Sequence, residues 1–215
     1  MKKPSLYPKV SLDLCWVQLT WTFWFLGVII VVNLVRLLFD MNSDSLFSCI
    51  YIASNIYMLI IGIIAINFMP YYVEFGVTRK DYFLGTTLAS FGLSIVLPIL
   101  AYLISLIEKL FFNHVTHLGF IEDTLKEVIV DLDGNLIGEI IVSFLLTPTV
   151  SLENNLFLSL SLFALNLIVF YLAGWLMSAA FYRLGVIAGL LIIGVAIVIV
   201  GIKDTMMRLV LDTPL

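Results

Sequence analysis

An all-α fold, a polytopic bundle of about five membrane-spanning helices, is what this sequence predicts, and three observations carry the prediction. The chain is 62% hydrophobic and only 12% charged, against about 45–50% and about 25% in a soluble domain. Its mean hydropathy is +1.13. A core of this size cannot hide that apolar excess, so a second apolar solvent, the bilayer, is required. The charges fall in short clusters between charge-free runs, several of them long enough for a hydrocarbon core of about 30 Å. The length suits one bundle domain covering residues 1–215. A net charge of −4 argues against nucleic acid as the main partner.

Met1–Val10 carries Lys2, Lys3 and Lys9 with Pro4 and Pro8, too basic and too broken to span. The apolar run after it is too long for a signal peptide, and no small-residue cleavage site follows. Residues 1–15 are therefore expected as a cytoplasmic tail, with Ser11–Gln18 approaching the membrane and Asp13 facing headgroups. Span one is expected at Trp16–Phe39. Trp16, Trp21 and Trp24 suit an interface, where the ring is apolar and the N–H wet, and Arg36 can snorkel outward at the far end. Asp40–Asp44 is an acidic turn. Span two is expected at Ser45–Met69, with Asn55 and Asn67 as its polar residues. These asparagines suit interhelical hydrogen bonds or a transport path. Pro70 is expected to end the helix, because it has no N–H and disfavours a helical residue before it.

Span three is expected at Tyr82–Ile107. Its Gly85 and Ala89 pair lets another backbone approach, and its Pro98 is expected to face protein, where a freed carbonyl can find a partner. Glu108–Asn155 is the longest polar stretch and holds about half the acidic residues. It is expected on the outer side. Leu136–Val150 within it is apolar but short and interrupted by Glu139, so it reads as re-entrant or interfacial; the count becomes six if it crosses. Span four is expected at Leu156–Phe181 with Asn166 as its strongly polar residue. Span five follows at Val186–Ile202, with Gly185 and Gly189 as a packing pair, and Lys203–Leu215 is expected as a short mixed tail. With five spans, Lys2, Lys3, Lys9, Arg79, Lys80 and Arg183 share one side, which the positive-inside rule makes cytoplasmic. Lys203 and Arg208 fall on the other side and favour six. Cys15 and Cys49 read as small packing residues, and their expected placement at opposite membrane faces opposes a disulfide.

Several chemistries have no signature here. No Gly-Lys pair exists, so the chain lacks a phosphate loop, and neither His-Glu-x-x-His nor Gly-x-Ser-x-Gly occurs. His114 and His117 share a helix face but lack the further ligands a metal site needs. Asp131-x-Asp133-Gly134 is a turn signal rather than a calcium loop, since Ile129 and Ile140 would hold the first and last ligand positions. No acidic pair is expected deep in a span. No catalytic residue, metal or cofactor is assigned to this chain.

What remains is Pro70–Tyr82, a compact mixed-charge loop between two apolar runs. Gly76 permits a left-handed backbone. Thr78 and Asp81 form a capping-box-like pair for the next helix. Arg79 and Lys80 can anchor on anionic lipid. Phe75–Gly85, read as Phe-Gly-Val-Thr-Arg-Lys-Asp-Tyr-Phe-Leu-Gly, resembles the segment between the second and third helices of bacterial ABC-2-type transporter permeases. Phe181–Gly185, before a Gly/Ile/Val-rich helix, resembles their later cytoplasmic hinge. Among such permeases the chain is most similar to those of small exporters of amphipathic or antimicrobial peptides. The resemblance implies a bacterial cell-membrane protein with a cytoplasmic N-terminus. It implies a coupling loop at 70–82 that contacts a separate ATP- and Mg-dependent ATPase through Glu74, Phe75, Gly76, Arg79 and Lys80. It also implies a second permease subunit, with substrate moving along faces bearing Asn55, Asn67 or Asn166. The family core has six helices, whereas the tail after span five leaves no room for a sixth, a departure that points to a truncated or accessory paralogue. The competing reading is a non-transporting immunity or sensor protein that binds an external cationic ligand through the acidic loop 108–155.

Overall fold

The computed structural model describes residues 6–38, 45–115 and 156–210. They form α1 (Tyr7–Leu38), α2 (Leu46–Ala65), a 3-10 turn (Ile66–Phe68), α3 (Met69–Glu74), α4 (Arg79–Val115), α5 (Leu156–Leu184) and α6 (Val186–Val210). No strand occurs among the described residues. Five helical segments there are long and apolar enough to cross a membrane: Tyr7–Arg36, Leu46–Glu74, Arg79–Leu110, Leu156–Leu184 and Val186–Met207. The protein is an all-α transmembrane bundle. Leu136–Val150, and with it the choice of a sixth span, lies outside the described residues.

α1 and α4 rise side by side from the same end. Val10 and Leu14 of α1 pack with Ala89 of α4, and a Cβ added to Gly85 would fall 2.8 Å from the Val10 side chain. The expected small-residue pair thus does bring a neighbouring helix close, and that neighbour is α1. α2 and α5 descend together as a second parallel pair. Gly62 of α2 lies against the Tyr171 and Trp175 backbone, and Gly174 of α5 against that of Leu59 and Ile63. Each glycine removes the side chain that would hold the two backbones apart, which is how helices associate where lipid supplies no hydrophobic drive. Met58, Leu93, Leu97, Phe163, Leu167 and Phe170 fill the space among α2, α4 and α5. Pro98 is buried against protein, as expected, and α4 remains helical through it.

The helix bounds differ from the sequence expectation in four places. Helix α1 begins at Tyr7 rather than after a tail ending near residue 15, because Pro8 is compatible with a first helical turn. Pro70 does not terminate a helix: the chain tightens into the 3-10 turn and Pro70 sits in the first turn of α3, where a missing N–H costs nothing. α4 continues through Glu108 to Val115, so Glu108 belongs to a helix and not to the acidic loop. Its carboxylate accepts the Leu46 N–H at 3.1 Å and satisfies the start of α2. Finally, α6 passes through Lys203 and Asp204 to Val210, where a tail was expected.

Candidate functional site

Two polar constellations stand out, one at each level of the bundle. The first is the elbow between α3 and α4. α3 ends in a Schellman arrangement: the Gly76 N–H donates to Val73 O at 3.0 Å and the Val77 N–H to Tyr72 O at 3.0 Å. Gly76 has φ of 82°, a left-handed backbone that a side chain would strain. Two residues later α4 starts on a cap. The Thr78 hydroxyl accepts the Asp81 N–H at 3.0 Å and donates to the Asp81 carboxylate at 2.9 Å. The acid therefore binds the capping hydroxyl, a variation on the usual box in which it returns to the cap N–H.

Beneath this turn two tyrosines fix its position. Tyr72 donates to Asp13 of α1 at 2.6 Å, and Tyr82 donates to the Ala65 carbonyl. That carbonyl lies where the 3-10 turn interrupts the helical ladder, so the bond offsets part of the interruption. The two rings lie 5.5 Å apart. Asp13 thus faces Tyr72, where the sequence suggested headgroups. Above, Glu74, Phe75, Gly76, Arg79 and Lys80 are all exposed, with Phe75 at 70% and its ring 4.8 Å from that of Tyr71. All five residues expected at a coupling surface are therefore presented together on a backbone whose turns satisfy themselves. Lys9 and Arg183 are exposed at the same end.

The second constellation lies inside the bundle. Asn166 of α5 donates to Asn55 of α2 at 2.7 Å, and both are fully buried. Lys203 of α6 donates to the Asn166 side-chain carbonyl and stands 5.2 Å from the Phe170 ring centroid, within cation–π range. Asp204 is buried beside them, on the α6 stripe that also carries Ala196, Val200 and Met207. Asn55 and Asn166 lie roughly 14 and 15 Å along their helices from Leu46 and Leu156, in the part of the bundle away from the elbow. The two asparagines assigned to a substrate path thus bind each other, while Asn67 is exposed in the 3-10 turn, away from them. Lys203 and Asp204 were missed because they follow an apolar run that is already long enough to span. The available signal was their helical register with Ala196 and Val200.

Gly185 has φ of 84° with open space where a Cβ would be. It is the turn between α5 and α6, not the helix-packing residue the sequence suggested, and Gly189 makes room for the Phe181 ring. Among the described residues no group of three His, Cys, Asp or Glu side chains could hold a metal; His117 and the carboxylates of 116–155 lie outside them. Comparison with protein-family models, curated proteins and solved structures finds no match. The class of protein that fold and sites define is a multi-pass membrane protein with a presented basic elbow and a buried polar cluster.

Proposed function

We propose that this protein is the membrane-spanning permease subunit of a bacterial ABC exporter. It resides in the cell membrane with its N-terminus cytoplasmic and docks a separate ATPase on the elbow at residues 70–82. One observation carries the reading: Glu74, Phe75, Arg79 and Lys80 are exposed side by side on a turn closed by Gly76 and the Thr78–Asp81 cap. A motor that moves helices needs such a rigid handle, because a yielding loop would absorb the displacement. The chain has no phosphate loop of its own, so ATP and Mg would be bound by the partner. Lys9, Arg79, Lys80 and Arg183 at one end support a cytoplasmic elbow. The resemblance of Phe75–Gly85 to ABC-2 permeases points the same way and suggests an amphipathic or antimicrobial-type peptide as substrate. A second permease subunit would complete the translocation path.

Cysteine placed at Phe75 tests the docking. In membranes that hold this chain together with a co-expressed ABC ATPase, crosslinking should capture that ATPase at its membrane-facing surface. Failure to capture it in membranes that contain both subunits argues against docking. The reading as an immunity or sensor protein rests on the acidic stretch 108–155, and Glu108 is already engaged with the start of α2. Deletion of Glu122–Glu139 separates the two: loss of external cationic ligand binding without change in ATPase turnover favours the sensor.

A further inference from the structure

We infer that a cavity between α4 and α5, at the elbow end, holds an anionic phospholipid from the surrounding leaflet. Arg79 is shared with the proposed docking surface, whereas Arg183 and the apolar wall belong to the cavity alone, so Arg183→Gln tests the lipid site separately from docking. The cavity measures about 630 Å³, inside the range of roughly 300–1,000 Å³ typical of small-molecule sites. Its chemistry is graded along the membrane normal. Arg79 opens α4 and Arg183 closes α5, so both guanidiniums stand at the mouth. Among the described residues neither side chain has a hydrogen bond or an ion pair. Leu172, also in the wall, lies eleven residues before Arg183 and so roughly 16 Å deeper.

Between these levels Phe83 and Trp175 stack at 5.0 Å, interplanar angle 29°, and tie the two helices into one apolar wall. Phe83, Leu172 and Leu176 stay partly exposed, so the cavity opens sideways, toward lipid rather than along the bundle axis. Two cations at the headgroup level above an apolar cleft match a phosphodiester with an acyl chain. A zwitterionic lipid offers the same chain, but its ammonium would meet the same two arginines. A free phosphate matches the mouth alone and leaves the apolar wall uncovered. Basic pockets between helices at a membrane face bind acidic headgroups for this reason.

The experiment uses the full chain in nanodiscs of phosphatidylglycerol diluted into phosphatidylcholine. Trp16, Trp21 and Trp24 are replaced by Phe, so that Trp175 is the reporter, and one lipid at a time carries brominated acyl chains. Brominated phosphatidylglycerol should quench Trp175 at a mole fraction roughly thirtyfold lower than brominated phosphatidylcholine, about fivefold for each arginine. Arg183→Gln should lose about one such factor, Arg79→Gln with Arg183→Gln should abolish the preference, and Arg183→Lys should keep most of it. Native mass spectrometry of the chain with all four tryptophans checks the result without the triple replacement. One phosphatidylglycerol should survive activation that strips phosphatidylcholine, and should be lost from the double variant. Equal quenching by both lipids overturns the inference. So does a preference that survives the double variant, or relief of phosphatidylglycerol quenching by millimolar inorganic phosphate.

Discussion

The elbow and the buried cluster use similar side chains in opposite ways. At the elbow the backbone satisfies itself through Gly76, Val77 and the Thr78–Asp81 cap, and Glu74, Arg79 and Lys80 are exposed. In the cluster the backbone is ordinary helix, and the fully buried side chains of Asn55 and Asn166 bond each other, with the half-buried Lys203 bonded to Asn166. The difference determines what each region is free to do. Side chains that the fold does not need can be committed to a partner. Side chains that complete a buried network are committed to the bundle, since removing one strands the rest in a medium that offers no replacement. Exposure over a fixed backbone leaves side chains available to a partner, and mutual satisfaction inside the bundle holds helices together.

The sharpest way to break that contrast is inside the bundle. Asn166→Leu removes a hydrogen-bond partner of both Asn55 and Lys203, and should cost about 3 kcal/mol of stability, read as unfolding in mixed detergent micelles. A loss below about 0.5 kcal/mol would mean that the cluster is not holding α2, α5 and α6 together. Next comes Gly174→Val. The added side chain meets the Leu59 carbonyl of the neighbouring helix, and overpacking of this kind costs about 2 kcal/mol. At the elbow, Gly76→Val must hold a β-branched residue at φ of 82°, which costs about 1.5 kcal/mol. Open space surrounds the position, so the cost is conformational rather than steric. Gly76→Asn should therefore recover much of it, because Asn tolerates a left-handed backbone.

Much of this was legible in the sequence, and the reasons for success and failure differ by residue. The five described helices long and apolar enough to cross a membrane follow from charge-free length alone. The elbow cap followed from Thr78 and Asp81 because capping is local: the donor and acceptor are three residues apart. The small pair Gly85 and Ala89 marked a close approach, but the identity of the neighbour as α1 is a property of the packed bundle. Gly62 and Gly174 carried no signal of their own, since each is an isolated glycine in an apolar span and its meaning lies in the other helix. Pro70 was misread because its rule was applied to a continuing helix, whereas a 3-10 turn had already ended α2 upstream. Lys203 and Asp204 were misread because a charge normally marks the edge of a span. Here Asn166 and Phe170 supply what water would have, and the helix continues past them.

The elbow's charged side chains give the smallest expected effect on stability and the largest on partnership. Arg79→Glu with Lys80→Glu changes two exposed residues, so unfolding in micelles should move by less than about 0.5 kcal/mol. The decisive measurement is the ATPase activity that co-purifies with the full chain, compared between the unaltered protein and this double variant at matched expression. ATPase lost from the variant while its unfolding midpoint stays in place is the predicted result. Equal ATPase recovery from both proteins would contradict docking through Arg79 and Lys80.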